Sequence, residues 1–345
     1  MNQTAFLRRI GLRLPLIVAP MAGGPSSVEL VSASSESGAL GSMGAAYSSP
    51  FQIEEFVVGL RKKTSKPFAI NLFINHPEPK VSSTQIECAT EALAKFRNAL
   101  GLKAPSLVPP YEEDFELQFE TVLELKPAVF SFVFGALKPE HLRALKSRNI
   151  VAIGTATTID EAKALEDLGV DAVTVQGIEA GGHRGMFDAS AKDPEISLMS
   201  LLRESATQLK IPVIAAGGIM NSRDIKEALA QGAAAVQMGT AFLACKEAGT
   251  SAPYRAALLK SESRKTDTSR AYSGRLARGI ENQFMIEMRN QADSILPFPA
   301  QNKFTRDIRA RSAERGLSDF LSMWCGSGKG KLWQGSCAEL IGTLF

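Results

Sequence analysis

The sequence predicts an α/β fold: a (β/α)8 TIM barrel with an added, mostly helical region on its substrate side. Short apolar runs alternate with amphipathic segments, the pattern of a parallel sheet with crossover helices. The runs number eight, the count that closes a barrel. They read as unbroken apolar stretches instead of alternating ones, as strands covered on both faces do. An open, doubly wound sheet is the competing arrangement.

In order, the runs are residues 16–22 (LIVAPMA), 39–45 (ALGSMGA), 68–74 (FAINLFI), 128–134 (AVFSFVF), 150–155 (IVAIGT), 172–176 (AVTVQ), 212–216 (PVIAA) and 234–238 (AAVQM). The helices between them carry start and stop signals. Thr158 and Glu161 predict a capping box ahead of Ile159, Ala162, Leu165 and Leu168, which share one face, and Gly169 ends that helix. Asn221 or Ser222 starts a similar helix through Ile225, Ala228 and Leu229, which Gly232 closes. Two stretches fall outside the rhythm. Residues 81–126 are too long for one crossover, with Pro105, Pro109 and Pro110 separating two helical segments. Beyond Leu243 come helical pieces at 254–260 and 305–316, an arginine-rich turn and a proline-punctuated link at 296–299. The reading is a barrel from 1–80 and 127–245, an inserted helical excursion at 81–126 and a C-terminal helical cap at 246–345, the last two together roofing the barrel mouth.

Composition agrees with this size. The 345 residues are 45% hydrophobic and 22% charged, which fits a soluble globular protein with a large core and excludes disordered and fibrous classes. Single α/β barrels reach about 250 residues, which leaves roughly 100 for additions. With 39 basic against 36 acidic residues, the net charge of +3 is too small to argue for nucleic acid or an anionic membrane. A small anionic ligand is compatible with it. The four cysteines, Cys88, Cys245, Cys325 and Cys337, have no C-x-x-C spacing, so neither a metal site nor a disulfide framework is expected. There is no charged start leading into a long apolar stretch, and no run approaches the ~18 residues of a membrane span. A cytoplasmic location with small-molecule partners is expected, and a homo-oligomer is left open.

Catalytic and binding groups of such barrels lie on the loops that leave the C-terminal strand ends. The first strand exits as Ala19-Pro20-Met21-Ala22-Gly23-Gly24, whose small residues let a flat ligand approach the backbone. The third exits through Asn71, a neutral donor and acceptor suited to a heterocycle edge. The sixth ends at Gln176 and runs into GIEAGGHRG at 177–185, where Gly181 and Gly182 leave backbone N–H groups unshielded and His183 stands among four glycines. The seventh exits through Gly217 and Gly218 and the eighth through Gln237, Met238, Gly239 and Thr240, the places where such barrels commonly bind phosphate. His183 is the candidate imidazole. His76, after the third strand, is a weaker candidate, and His141 reads as solvated on an exposed helix.

These motifs resemble the nitronate monooxygenase family, formerly 2-nitropropane dioxygenases, in its first class. The likeness runs from APMAGG through NLF at Asn71, VQGIEAGGHRG, IPVIAAGGIM and VQMGTAFLAC to AYSGRLARG and LPFPAQ. The resemblance implies an α/β barrel with non-covalent FMN held at Met21, Asn71, Gln176, Gly181, Gly218, Gln237, Gly239 and Thr240, with His183 as the catalytic group. It implies oxidation of alkyl nitronates, propionate 3-nitronate the usual one, with O2 to a carbonyl compound and nitrite. With a reference pKa of about 6.5, His183 is a base toward a neutral nitroalkane or, protonated, a support for an anionic nitronate. Tyr111 and Tyr254 match positions of the substrate wall, and Phe298 stands where relatives often carry tyrosine. Lys303, Arg275 and Arg278 are further candidates for holding an anion, with solvated surface charge as the alternative reading of each. The rival readings are a flavin-dependent NAD(P)H enoyl-acyl-carrier-protein reductase or a quinone reductase on the same barrel, and a non-catalytic FMN-binding protein.

Overall fold

The computed structural model describes residues 3–260 and 265–345. Every expected run meets a barrel strand, the fifth strand passing its run by one residue: β1 (Leu16–Val18), β2 (Gly41–Gly44), β3 (Phe68–Phe73), β4 (Val129–Val133), β5 (Val151–Ala156) and β6 (Ala172–Gln176), then, beyond a two-residue β7 (Gly182–His183), β8 (Val213–Ala216) and β9 (Ala235–Met238). The barrel sheet runs β1-β9-β8-β6-β5-β4-β3-β2, and all its ladders are parallel. Its two ends meet through the parallel bridge Ile17↔Leu40, with the Val18 N–H on the Leu40 carbonyl and the Leu40 N–H on the Leu16 carbonyl, each at 2.9 Å. This is the expected barrel, nearly closed, and not an open doubly wound sheet. β1 is shorter than its apolar run because the chain leaves through Pro20, which has no N–H to give a ladder.

Local signals set the helices. Asn221 caps Ser222–Ala230 by accepting the Arg223 and Asp224 N–H groups. Thr158 caps Ile159–Leu168 by accepting the Glu161 N–H, and Gly169 ends that helix at φ 92°. Only half of the expected capping box forms, because the Glu161 carboxylate accepts from Thr157 and from the Phe187 N–H instead, tying the helix start to the chain beyond His183. His141 also departs from expectation. It shares a face of Pro139–Ser147 with Leu145, is buried against the Phe119 ring at 4.6 Å, and its Nε2 lies 2.9 Å from Glu116 Oε2.

The core has three parts. At the N-terminal end of the strands, Phe6, Ile10 and Leu12 pack with Ile17, Leu40, Val129, Ile153 and Ile214 and plug the barrel. Around the strands, the main cluster takes in Phe115, Phe119 and Val122 of the helix Phe115–Leu125, and Leu340, Ile341 and Leu344 of the helix Cys337–Leu344. That last helix packs on both Val28–Glu36 and Ser222–Ala230, the place of the eighth barrel helix. Over the mouth, Leu93, Phe96 and Leu100 of Ser83–Leu100 pack with Tyr272, Phe284, Phe304 and Ile308. The excursion and the tail thus share one apolar cluster, reinforced by Arg97 gripping both oxygens of Asp307 at 3.0 and 2.6 Å. The tail adds a hairpin, β10 (Thr266–Ser269) and β11 (Ala277–Ile280), whose second strand pairs antiparallel with β7. Among the described residues, no helix is long and apolar enough to cross a membrane.

Phe6 is fully buried in the plug, so Phe6→Ala should destabilise the protein by about 3–5 kcal/mol. Urea unfolding would measure it, and a loss under about 1 kcal/mol would mean the plug contributes little to the barrel.

Candidate functional site

The strand exits converge on a cavity of about 550 Å3 at the C-terminal end of the barrel. That lies inside the roughly 300–1,000 Å3 range of cofactor and ligand sites. Ala19, Pro20 and Met21 line it after β1, Asn71 on β3, Gln176 on β6, Gly217 and Gly218 after β8, and Gln237, Met238, Gly239 and Thr240 at the end of β9.

The loop that carries His183 is held from several sides. Gln176 Nε2 donates to the His183 carbonyl at 3.0 Å, while its Oε1 accepts the Gly185 N–H at 2.8 Å and Arg184 NH1 at 2.9 Å. Both acceptor sites of that amide are taken, which leaves one N–H for a ligand. Arg184, fully buried, sets its Nε 2.5 Å from Asp193 Oδ2 and gives NH1 to the Gly177 carbonyl at 2.7 Å. A buried guanidinium needs such a partner. β7 then pairs with β11 in the register Ala277↔His183 and Arg278↔Gly182, and the Arg184 N–H reaches the Leu276 carbonyl at 2.8 Å.

The His183 ring, half-buried on the cavity wall, is enclosed by aromatic rings. Phe73 lies 5.9 Å away, Phe134 5.7 Å, Phe298 6.4 Å and Trp324 5.5 Å between ring centres. Its Nε2 is 2.8 Å from the hydroxyl of buried Ser273. That hydroxyl accepts the Arg275 N–H and can give its proton to the Arg275 carbonyl, 3.2 Å away, or to the imidazole. It therefore serves either neutral tautomer of the ring. Burial first, then the nearby charges of Arg275 and Arg309, push the His183 pKa from its ordinary 6.5 down to about 3. Phe134 keeps its place at φ 80°, a conformation rare for a bulky residue, with His76 Nε2 2.6 Å from its carbonyl and the Arg275 guanidinium 3.9 Å from its ring centre.

Across the mouth the wall is glycine. Gly217 and Gly218 take φ values of 122° and 72°, which turn the β8 exit back toward the cavity. A tail segment completes this end: the Gly326 N–H donates to Thr240 Oγ1 at 3.0 Å and the Ser327 N–H to the Glu179 carbonyl at 3.0 Å. A side chain on Gly181 would meet the Cys325 and Gly326 backbone at 2.5–2.9 Å, so that glycine is needed for the tail to dock. Among the described residues lining the cavity there is no carboxylate, and the charged ones are Arg306 and Arg309.

Most of the residues expected from the sequence meet here, but not all. Tyr254 lines the cavity with its hydroxyl donated to the Trp324 carbonyl. Phe298 stands behind, against Phe134. Tyr111 is buried in the cap cluster, off the cavity wall. Lys303 is also off the wall, its ammonium donating to the Val108 and Pro110 carbonyls at 2.7 and 2.8 Å. Arg275 is buried and gives NH1 to the Met186 carbonyl at 2.8 Å, and Arg278 gives Nε to the Ile178 carbonyl at 3.0 Å. Neither is solvated surface. His76 braces Phe134 and does not line the cavity. Sequence reasoning passed over Tyr47, Phe73, Ser273, Arg306, Arg309, Trp324 and the Gly326–Gly330 run. Ser273 was within reach, because it lies in the AYSGRLARG motif, and CGSGKG is a glycine cluster as dense as the one at 177–185.

With this geometry in hand, comparison with known proteins is specific. The family model described as nitronate monooxygenase matches residues 5–345. A protein named probable nitronate monooxygenase from Staphylococcus aureus strain Newman is 37% identical over 326 residues, covering 94% of this chain and 91% of that one. Its namesake from Staphylococcus haemolyticus is 38% identical over 319 residues, covering 92% and 89%. The crystal structure of nitroalkane oxidase from Streptomyces ansochromogenes superposes with a TM-score of 0.91 at 32% identity, covering 99% of this chain and 96% of that one. FabK from Thermotoga maritima follows at 0.74 and 26%, covering 100% and 94%.

Two outcomes are expected of this site. Asp193→Ala leaves Arg184 buried without its acid and should cost about 3–5 kcal/mol in chemical denaturation. Acid should act through His183. Its folded pKa lies below its unfolded one, so between pH 6.5 and about 3 the unfolded chain binds a proton that the folded protein refuses. This contribution is absent above pH 6.5 and destabilises as the pH falls below it. Urea unfolding at pH 7.5 and pH 5 should therefore show the wild type losing more stability than His183→Gln. Equal losses would place the titration elsewhere.

Proposed function

We propose that this chain, which belongs to the nitronate monooxygenase family, is an FMN-dependent enzyme that oxidises alkyl nitronates, propionate 3-nitronate foremost, with O2 to a carbonyl compound and nitrite. The observation that carries the reading is a half-buried neutral imidazole on one side of a cavity whose opposite side is glycine-walled and free of carboxylates.

The residues present fit FMN. A dianionic phosphate is acceptable only where no carboxylate repels it, and the cavity wall meets that condition. Gly181, Gly182, Gly217, Gly218, Gly239 and Thr240 would hold the phosphate, since strand exits of this kind present N–H donors. Ala19, Pro20, Met21, Asn71, Gln176, Gln237 and Met238 would flank the ring system. Asn71 gives one N–H to Ser131 at 2.9 Å and keeps its amide oxygen and second N–H for a ligand. When bound, FMN supplies the electron chemistry.

The chain's own residues do the rest. The neutral His183 ring takes a proton from a nitroalkane carbon or gives an N–H to a nitronate oxygen, and Ser273 fixes the ring in either case. Phe73, Phe134, Phe298 and Trp324 keep water from the reacting atoms, which strengthens every polar contact inside. Tyr254 forms wall and not acid, because its hydroxyl is engaged by Trp324 and burial holds its pKa well above the ordinary value.

His183→Asn should purify yellow with FMN at wild-type stoichiometry, yet release nitrite from propionate 3-nitronate slower by on the order of 10²–10⁴-fold. Unchanged nitrite release would move the catalytic role off His183. The rival is an enoyl reductase on the same barrel, and FabK supports it in fold alone. Rapid anaerobic bleaching of the flavin by NADH, without nitrite release in air, would establish that rival instead.

A further inference from the structure

The cavity wall that carries the imidazole also carries two guanidiniums and, among the described residues, no carboxylate. Arg306 and Arg309 project from the helix Arg306–Glu314 onto the cavity wall, where no acidic residue joins them among those described. Arg309 gives NH2 to the Asn302 carbonyl at 2.7 Å and to its amide oxygen at 2.8 Å, and Nε to the Thr305 carbonyl at 3.4 Å. All of these acceptors are neutral. Asp307, the acid whose charge acts on Arg309, is gripped at both oxygens by Arg97. A desolvated guanidinium with neutral partners only is costly unless a ligand supplies the anion.

These charges share the cavity with Tyr47, Phe73 and His183. Tyr47 follows β2 and Phe73 ends β3, and in the barrel order these strands lie across from β6 and β8. The Tyr47 ring packs edge-on to Phe73 at 5.6 Å, and Phe73 in turn faces His183. Burial foremost keeps the Tyr47 hydroxyl protonated and hence a donor, and the charges of Arg309, Arg306 and Glu112 act on it in turn. Arg309 also acts on His183. The cluster reaches the imidazole through Phe73, which ends β3, the strand across the barrel from the β8 exit with Gly217 and Gly218.

We propose that Arg309, with the Tyr47 hydroxyl beside it and Arg306 at the mouth, is the anion-holding group of this cavity and takes the oxygens of a small organic oxyanion presented to His183. The inference rests on the function proposed above in one respect, that the oxyanion belongs to the substrate. It divides the labour of the site: the imidazole handles the proton and the guanidinium supplies the positive charge. Lys303, Arg275 and Arg278, the cations the sequence offered for this task, are bound to backbone carbonyls. The oxyanion has two sources, the nitronate group and a carboxylate elsewhere on the substrate.

The test uses the FMN-loaded protein and inorganic nitrate, a planar oxyanion that is not turned over, titrated by calorimetry. Arg309→Gln should weaken nitrate binding roughly tenfold to a hundredfold, the effect of one hydrogen bond to a charged group. Arg309→Lys should recover part of it. Arg306→Gln, which removes an exposed charge with no ion pair among the described residues, should weaken it less and keeps the test open if Arg309→Gln fails to fold. Steady-state kinetics then separates the sources. A raised KM for both ethyl nitronate and propionate 3-nitronate assigns Arg309 to the nitronate; a raised KM for the latter alone assigns it to the carboxylate. Unchanged nitrate affinity in Arg309→Gln and Arg306→Gln overturns the proposal, as does a loss of FMN affinity in them, which would give these charges to the cofactor. A wild-type protein that binds nitrate through Arg309 yet releases no nitrite would sink the proposed reaction and leave this inference standing.

Discussion

Two residues of backbone pairing organise the site. β7 is only Gly182–His183, and it exists because β11 lies antiparallel beside it. A strand that short gains little from its own hydrogen bonds, so its geometry is set by what surrounds it. Arg184 and Gln176 hold the loop from the barrel side, and Ser273, in the turn just before β11, holds the imidazole from the cap side. The ring is thus positioned jointly by barrel and tail, as the catalytic role proposed for it requires.

The same joint construction sets the electrostatics. The cap brings Phe298, Trp324 and the Arg275 charge over a ring that the barrel supplies, and this enclosure keeps the imidazole neutral. The tail also brings the Gly326–Gly330 segment against Gly181 and Gly218. The far end of the cavity is therefore a cradle made partly of residues a long way along the chain. Among the described residues the cavity wall carries no carboxylate, and its guanidiniums are those of Arg306 and Arg309.

The legible parts of the sequence were those whose signal is local. Eight apolar runs, the caps at Asn221 and Thr158, and the glycine-bearing exits at 177–185, 217–218 and 239–240 each announce themselves within a few residues, because periodicity and turn chemistry act over that range. The hairpin β10–β11 escaped because its strands, TDTS and ARGI, carry almost no apolar alternation and form by pairing alone. His141 looked solvated because its helix is polar overall, yet the helix Phe115–Leu125 covers that face.

The sequence by itself determined the barrel, the order of its exits and the imidazole among glycines, since hydrophobic pattern and backbone freedom are written residue by residue. Only the tertiary structure decided which charges face the cavity. A long cationic side chain is used by whatever acceptors packing brings within reach: the Val108 and Pro110 carbonyls for Lys303, the Met186 carbonyl for Arg275, neutral amide oxygens and an open cavity for Arg309. Those acceptors lie on other segments of the chain in the first two cases, and in the third only the fold shows that no carboxylate joins Arg309 on the cavity wall among the described residues.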